Sequence, residues 1–337
     1  MESISNEKIK LKEGNTYFFI CYALVCGGKS TFFEQILSQT STEENKSKYN
    51  VIMVSSDQIR SDLSKEMQKK NPGMTFKQCF DKLSRETARE FDTQIFQAIK
   101  KRDKSKINII LVDKNYPQGI NQFVKKFCKY QSTQFFIVFI PNLSQGIKIN
   151  ELNFPFSLNY FIQCYLRLKN RHGHEVLNGE DEESRLVYIS FFKLFQNFDF
   201  YHNLKGNKSE DAKNQEKNEK EEDKSTARKK ERSRDKENYY YKTEKNFDKN
   251  IFIQKIDFTD ESKEIEIDKD TEKFFNDVIA KMKPFDMKDI KEKYQKDIDN
   301  YFDIIDKEYD GKDAFKDTRE KIKDQVTDLL KNGYNEK

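Results

Sequence analysis

The sequence is poor in the residues that build metal and redox centres. Its 337 residues hold three histidines, His172, His174 and His202. Nothing near His172 and His174 completes a ligand pattern, so no metal centre is read there. Five cysteines occur, Cys21, Cys26, Cys79, Cys128 and Cys164, with no CxxC pair among them. All but Cys79 lie in or beside apolar runs. That is the pattern of reduced, buried thiols in a cytoplasmic or nuclear protein, not of a disulfide framework. Tryptophan is absent; with the excess of Lys, Asn and Phe, this reflects base composition more than function. No apolar run reaches about 18 residues, so no membrane span is expected. Met1-Glu2-Ser3-Ile4-Ser5-Asn6 lacks the apolar core of a signal peptide. No internal repeat is visible. Hydrophobic residues make up only 35% against 36% charged, so part of the chain cannot join a core. The net charge of +4 is too small to demand a nucleic-acid partner.

What is present begins directly behind the apolar run 17–22. Ala23-Leu24-Val25-Cys26-Gly27-Gly28-Lys29-Ser30 reads as a phosphate-binding loop with Ala23 at the usual first glycine. Backbone N–H groups around Gly27 and Gly28 must turn toward phosphate oxygens, and side chains there would obstruct them. Lys29 supplies a point charge for the β- and γ-phosphates, and Ser30 a hydroxyl for Mg²⁺. The following helix, opening with Thr31, presents its positive end to the anion. The expected ligands are therefore a nucleoside triphosphate, ATP, and Mg²⁺.

Strand-like runs at 17–22, 51–54, 107–112 and 135–140 alternate with helical stretches at 30–39, 58–69, 76–102 and 119–130. That alternation predicts an α/β fold of the P-loop NTPase type, a parallel sheet with helices on both faces. Further helices are expected at 157–170 and 181–198. Residues 205–249 are charged and of low complexity, with almost no apolar side chain up to 238, and are expected to form a disordered insertion. Residues 250–284 then supply the last strand and helix of the domain begun in 1–204. Residues 285–337 read as a charged helical tail.

In such sheets ligands sit beyond the carboxyl ends of the strands. Asp57 follows the second strand and is placed to take a proton from an acceptor hydroxyl; the same residue could be a helix N-cap. Arg60, one turn on, could hold an anionic group or simply be solvated. Asp113 ends the third run, where a carboxylate supports Mg²⁺. Arg167 and Arg171 share a helix face and could close over a triphosphate, or form an ordinary helix surface. Lys100, Lys101, Arg102, Lys104 and Lys106, with Lys125, Lys126 and Lys129, could bind a phosphate backbone.

Together these residues resemble the polynucleotide-kinase-type branch of P-loop kinases. The resemblance rests on the loop, Asp57-x-x-Arg60, Asp113-Lys114-Asn115 and Cys164-x-x-Arg167-x-x-x-Arg171-x-x-His174-x-x-Leu177. It is nearest to the kinase domain of fungal-type tRNA ligases and covers residues 15–180, more weakly 250–282. It implies a γ-phosphate transfer from ATP to a 5′-hydroxyl of RNA, or less readily DNA. Lys29 and Ser30 would bind phosphates and Mg²⁺, Asp57 would be the general base, and Arg60 would grip the neighbouring nucleic-acid phosphate. Asp113 would support the metal, and Arg167 or Arg171 would act as lid arginine. The other tRNA ligase activities have no counterpart here. Lys307-Glu308-Tyr309-Asp310-Gly311 is one residue too long for a nucleotidyl-transfer motif, and no histidine fits a phosphodiesterase pair. Two alternatives stay open: a kinase for a small molecule, since related zeta-toxin-like kinases share the Asp-x-x-Arg pair, and a non-catalytic nucleotide-binding scaffold.

Overall fold

The computed structural model describes residues 8–116, 120–128, 133–143, 146–149, 152–171, 177, 179, 182–196, 250–259, 268–309 and 318–335. The expected charged insertion at 205–249 and all three histidines lie outside the described residues. Five strands form one parallel sheet: β2 (Thr16–Cys21), β3 (Tyr49–Ser55), β4 (Ile107–Asp113), β5 (Gln134–Pro141) and β8 (Ile251–Ile256). Their order is β3-β4-β2-β5-β8, with every neighbouring pair parallel. The central strand β2 is buried along its whole length, and β4 nearly so. That is why both read as unbroken apolar runs. Edge strand β3 is only partly covered, and Met53 stands exposed on it.

Helices flank the sheet and return the chain from the carboxyl end of each strand to the amino end of the next. They are α1 (Lys29–Thr40), α2 (Glu43–Lys46), α3 (Ser56–Lys70), α4 (Phe76–Lys82), α5 (Ser84–Lys100) and α6 (Ile120–Phe127). On α5 the buried side chains Thr87, Phe91, Ile95, Ala98 and Ile99 recur at helical spacing, so one face packs and the other stays polar. The single helix expected over 76–102 is two. Leu83 leaves helical geometry at φ −98° and ψ 14°. At the break the Phe80 carbonyl accepts Leu83 N at 3.3 Å and Arg60 Nε at 2.9 Å.

A short hairpin, β6 (Ile147–Ile149) and β7 (Leu152–Phe154), precedes α7 (Leu158–Lys169) and α8 (Glu182–Leu194). Helix α7 is buried over nearly its whole surface. After β8 come α9 (Lys269–Phe274), which widens into a π turn over Phe275–Ile279, then α10 (Met287–Tyr309) and α11 (Arg319–Asn332). The residues expected as a charged tail join the main core through Ile290, Ile298, Phe302, Ile322 and Val326. Helix α10 braces α7 and α8. Phe302 stacks on Tyr165 at 4.0 Å between ring centres, and Arg185 pairs with Asp303 and Asp306 at 3.0 Å each. The last strand, β9 (Tyr334–Asn335), pairs antiparallel with β1 (Lys8–Ile9) and so ties the two ends of the described chain together. Among the described residues no helix is long and apolar enough to cross a membrane.

Candidate functional site

The chain leaves the middle of the sheet at Cys21 and runs through a buried segment, Tyr22 to Val25. It then turns sharply. Leu24 O accepts Gly27 N at 3.0 Å and faces Lys29 Nζ at 3.4 Å. Cys26 at φ 59° and Gly28 at φ 91° are left-handed, while Gly27 between them is not. Such alternation is the backbone pattern of anion-binding nests, with the Gly27 N–H taken here by Leu24 O. Gly28 is also the N-cap of α1; it supplies no side-chain hydrogen bond, and the first turn holds no acidic residue. The positive end of a twelve-residue helix is thus left open to an anion.

The two glycines are required for different reasons. Gly28 needs its backbone conformation. Gly27 needs space: a Cβ there would fall 2.1 Å from the Tyr160 hydroxyl and 2.8 Å from Leu24 O. Ala23, in contrast, is buried and does not have a positive φ. A glycine's freedom is not used at that position, so a methyl group is accommodated.

Ser55 and Asp113 are register partners at the ends of β3 and β4. Ser55 Oγ donates to Asp113 Oδ2 at 2.8 Å and accepts from Gln58 N at 3.4 Å. Ser55 is therefore the cap of α3, and Asp57 is not. Asp57 stands exposed in the first turn, its carboxylate clear of the capping role. Burial pushes the Asp113 carboxyl above its ordinary range. The bond from Ser55 and the charges of Lys29 and Arg171 pull it back, and Asp57 adds to the upward push. Lys29, Asp57 and Arg171 thus each act on the Asp113 carboxyl. Ser30 is exposed on the first turn of α1 and Thr31 half-buried beside it.

The two lid candidates divide. Arg171 Nη1 lies 3.8 Å from Cys26 Sγ, on the glycine loop. Burial raises the Cys26 thiol despite the opposing pull of Arg171, Lys29 and Arg167, so this cysteine stays a thiol. Arg167 Nη2 instead donates to Phe258 O at 2.9 Å and to Thr318 Oγ1 at 3.3 Å, which anchors it to the segment after β8. Arg60 lies flat on the Phe80 ring, 3.8 Å from its centre, and Nη2 reaches Ser84 Oγ at 3.4 Å. Burial lowers its pKa, while Asp81 and Asp57 oppose that. Arg60 therefore faces α4 and α5 as well as Asp57, and is not the freely solvated side chain that its spacing allowed.

No family model matches the chain, and no curated protein sequence matches it either.

The rest of the predicted site is sorted by its place in the sheet. Lys114 turns away from the loop, its amine 5.0 Å from the Phe91 ring and 5.3 Å from the Tyr116 ring, and burial lowers its pKa. Asn115 carries a buried Oδ1 without a hydrogen-bond partner among the described residues. Lys100, Lys101, Arg102, Lys104 and Lys106 precede Ile107, at the amino end of β4. They stand about 20 Å from Asp113 across a seven-residue strand, so they do not line the site. Lys126 is paired with Asp92, and Lys129 lies outside the described residues. Among the described residues no group of three or more His, Cys, Asp or Glu could hold a metal unaided.

Four residues of this site carry no motif in the sequence. Ser55 could have been found from its position before a helix, as an N-cap. Tyr160, Phe258 and Thr318 give no such signal, because Tyr160 and Phe258 meet the loop, and Thr318 meets Phe258, only through the tertiary fold.

Proposed function

We propose that the chain is an ATP-dependent P-loop kinase that moves the γ-phosphate to a 5′-hydroxyl end of a nucleic acid, RNA in preference to DNA. The observation carrying this reading is that Asp57, Asp113 and the glycine loop with Lys29 stand at the carboxyl ends of three neighbouring parallel strands, β3, β4 and β2, with Arg171 3.8 Å from Cys26 of that loop. Ligands of α/β sheets bind at that edge.

The residues suit a triphosphate with magnesium. Lys29, the Gly28 N–H and the first turn of α1, which carries Thr31, would hold the β- and γ-phosphates. Ser30 and Asp113 would hold Mg²⁺, an ion that usually takes one or two carboxylates and completes its shell with phosphate oxygens and water. Magnesium, when bound, neutralises charge on the phosphate oxygens. Asp57 accepts the proton of the acceptor hydroxyl as the hydroxyl oxygen bonds to the γ-phosphorus and the bond from that phosphorus to the β,γ-bridging oxygen breaks, releasing ADP. Arg171 places a guanidinium at the loop, where charge develops during transfer. Arg60, oriented by the Phe80 ring and carbonyl, offers its remaining charge to the acceptor's phosphate.

A second reading is a kinase for a small hydroxyl compound. It is favoured by the distance between the basic cluster at 100–106 and the site, which removes the expected backbone-binding surface. Transfer of label from γ-labelled ATP separates the two. We expect label on a short 5′-hydroxyl RNA, with KM for the RNA rising steeply as salt increases. Labelling of small hydroxyl compounds alone, or an acceptor KM insensitive to salt, would reject the nucleic-acid acceptor and leave the small-molecule reading.

A further inference from the structure

The segment after β8 touches the glycine loop, and the end of the chain holds that segment. Phe258 is fully buried. Its ring meets Gly28 closely enough that a Cβ there would sit 3.1 Å from Cδ1, and it packs edge-on against Phe32 of α1 at 5.9 Å. The Phe258 carbonyl accepts both Arg167 Nη2 at 2.9 Å and Thr318 Oγ1 at 3.2 Å. One residue earlier, Asp257 N donates to Gln325 Oε1 at 2.9 Å. The Asp257 carboxylate accepts from Asn142 at 2.7 Å and pairs with Lys321 at 3.6 Å. Thr318 precedes α11, and Gln325 and Lys321 lie on it. Helix α11 also grips α1 directly, with Gln39 Nε2 on Lys323 O at 3.0 Å and Thr327 Oγ1 on Gln39 Oε1 at 3.1 Å.

We propose that Thr318 and Gln325 are positioning residues, which fix the glycine loop by holding the Asp257-Phe258-Thr259 turn against Gly28. The proposal rests on the reading of that loop as a triphosphate site. The physical reason is economy of motion. The loop contains a non-glycine residue, Cys26, in the left-handed region, a conformation that is strained and persists only where the surroundings over-determine it. The Phe258 ring borders that loop at Gly28, and the partners of its carbonyl and of the preceding N–H help to hold it there. Neither residue touches the ligand. Both act through the turn, so their loss should weaken ATP binding more than it slows transfer.

The test uses the full chain and two readouts, steady-state kinetics with magnesium-ATP and the rate of Cys26 alkylation by iodoacetamide, resolved by peptide mass. Thr318→Val is expected to raise KM for ATP about tenfold, the upper range for one lost hydrogen bond, with kcat within about twofold. Cys26 alkylation should quicken about fivefold. Thr318→Ser, which keeps the hydroxyl, should restore both values. Gln325→Met, at a partly exposed position, should move both in the same direction and decides the matter if Thr318→Val does not fold. Unchanged KM and alkylation in the folded variants would overturn the proposal. So would a fall in kcat and thermal stability with KM and alkylation unmoved. If the wild-type chain binds no ATP, the triphosphate reading fails, and the alkylation rates alone decide whether Thr318 and Gln325 hold the loop.

Discussion

Asp57→Ala is expected to slow phosphoryl transfer by about 10²- to 10⁴-fold, the usual contribution of a positioned general base. Its ATP affinity should stay within about twofold of the wild type. The separation follows from the geometry. Ser55 caps α3, so deleting the Asp57 carboxylate does not unwind that helix. An acidic residue in the first turn is worth only about 0.3–1 kcal/mol to a helix, and the fold has the rest of α3 and its packing to hold it. What disappears is an exposed carboxylate together with its field on Asp113 and Arg60. Asp57→Asn should behave like Asp57→Ala in transfer, because it keeps the volume but cannot take the proton. Single-turnover rates against binding titrations would separate the two effects. Unimpaired transfer in both variants would remove Asp57 from the mechanism.

Arg171→Ala and Arg167→Ala should fail in different ways. The first removes a guanidinium from the glycine loop, and kcat is expected to fall about 10²- to 10³-fold, as on loss of one transition-state donor, with little change in stability. The second leaves the Phe258 carbonyl with one fewer donor and Thr318 without its guanidinium partner. A lost partner at a buried polar group costs about 1–3 kcal/mol, so the denaturation midpoint should drop and KM for ATP should rise. Transfer kinetics and urea titrations on both variants check this. A large loss of kcat in Arg167→Ala, with Arg171→Ala near wild type, would reverse the assignment.

The strands were legible because the sheet is parallel and buried. Residues 17–22 read as a strand and Thr16–Cys21 form it; residues 107–112 read as one and Ile107–Asp113 form it. Side chains buried on both faces leave a continuous apolar run, which sequence displays directly. The division of the helix at 76–102 was not legible, since no glycine or proline marks it. Strands β1 and β9 are two residues each, too short for any period to appear. Within the site, the glycines and Lys29 were legible because their spacing is local. Arg167 and Arg171 could not be separated by spacing, because residues four apart share a helix face. What separates them is the company each keeps: Cys26 for one, Phe258 and Thr318 for the other. The C-terminal helices looked like an appendage because their charged faces dominate the composition. Their apolar stripes, such as Ile322, Val326, Leu329 and Leu330, complete the core.

The central claim is that the loop from Ala23 to Ser30 holds a triphosphate through Lys29. Calorimetric titration of magnesium-ATP into the wild-type chain and into Lys29→Ala addresses it most directly. We expect one site in the wild type and affinity weakened at least about tenfold in the variant, the scale of a lost charge-assisted contact, with the melting temperature of the free protein unchanged. Equal affinity in the two proteins, or no binding in either, would contradict it.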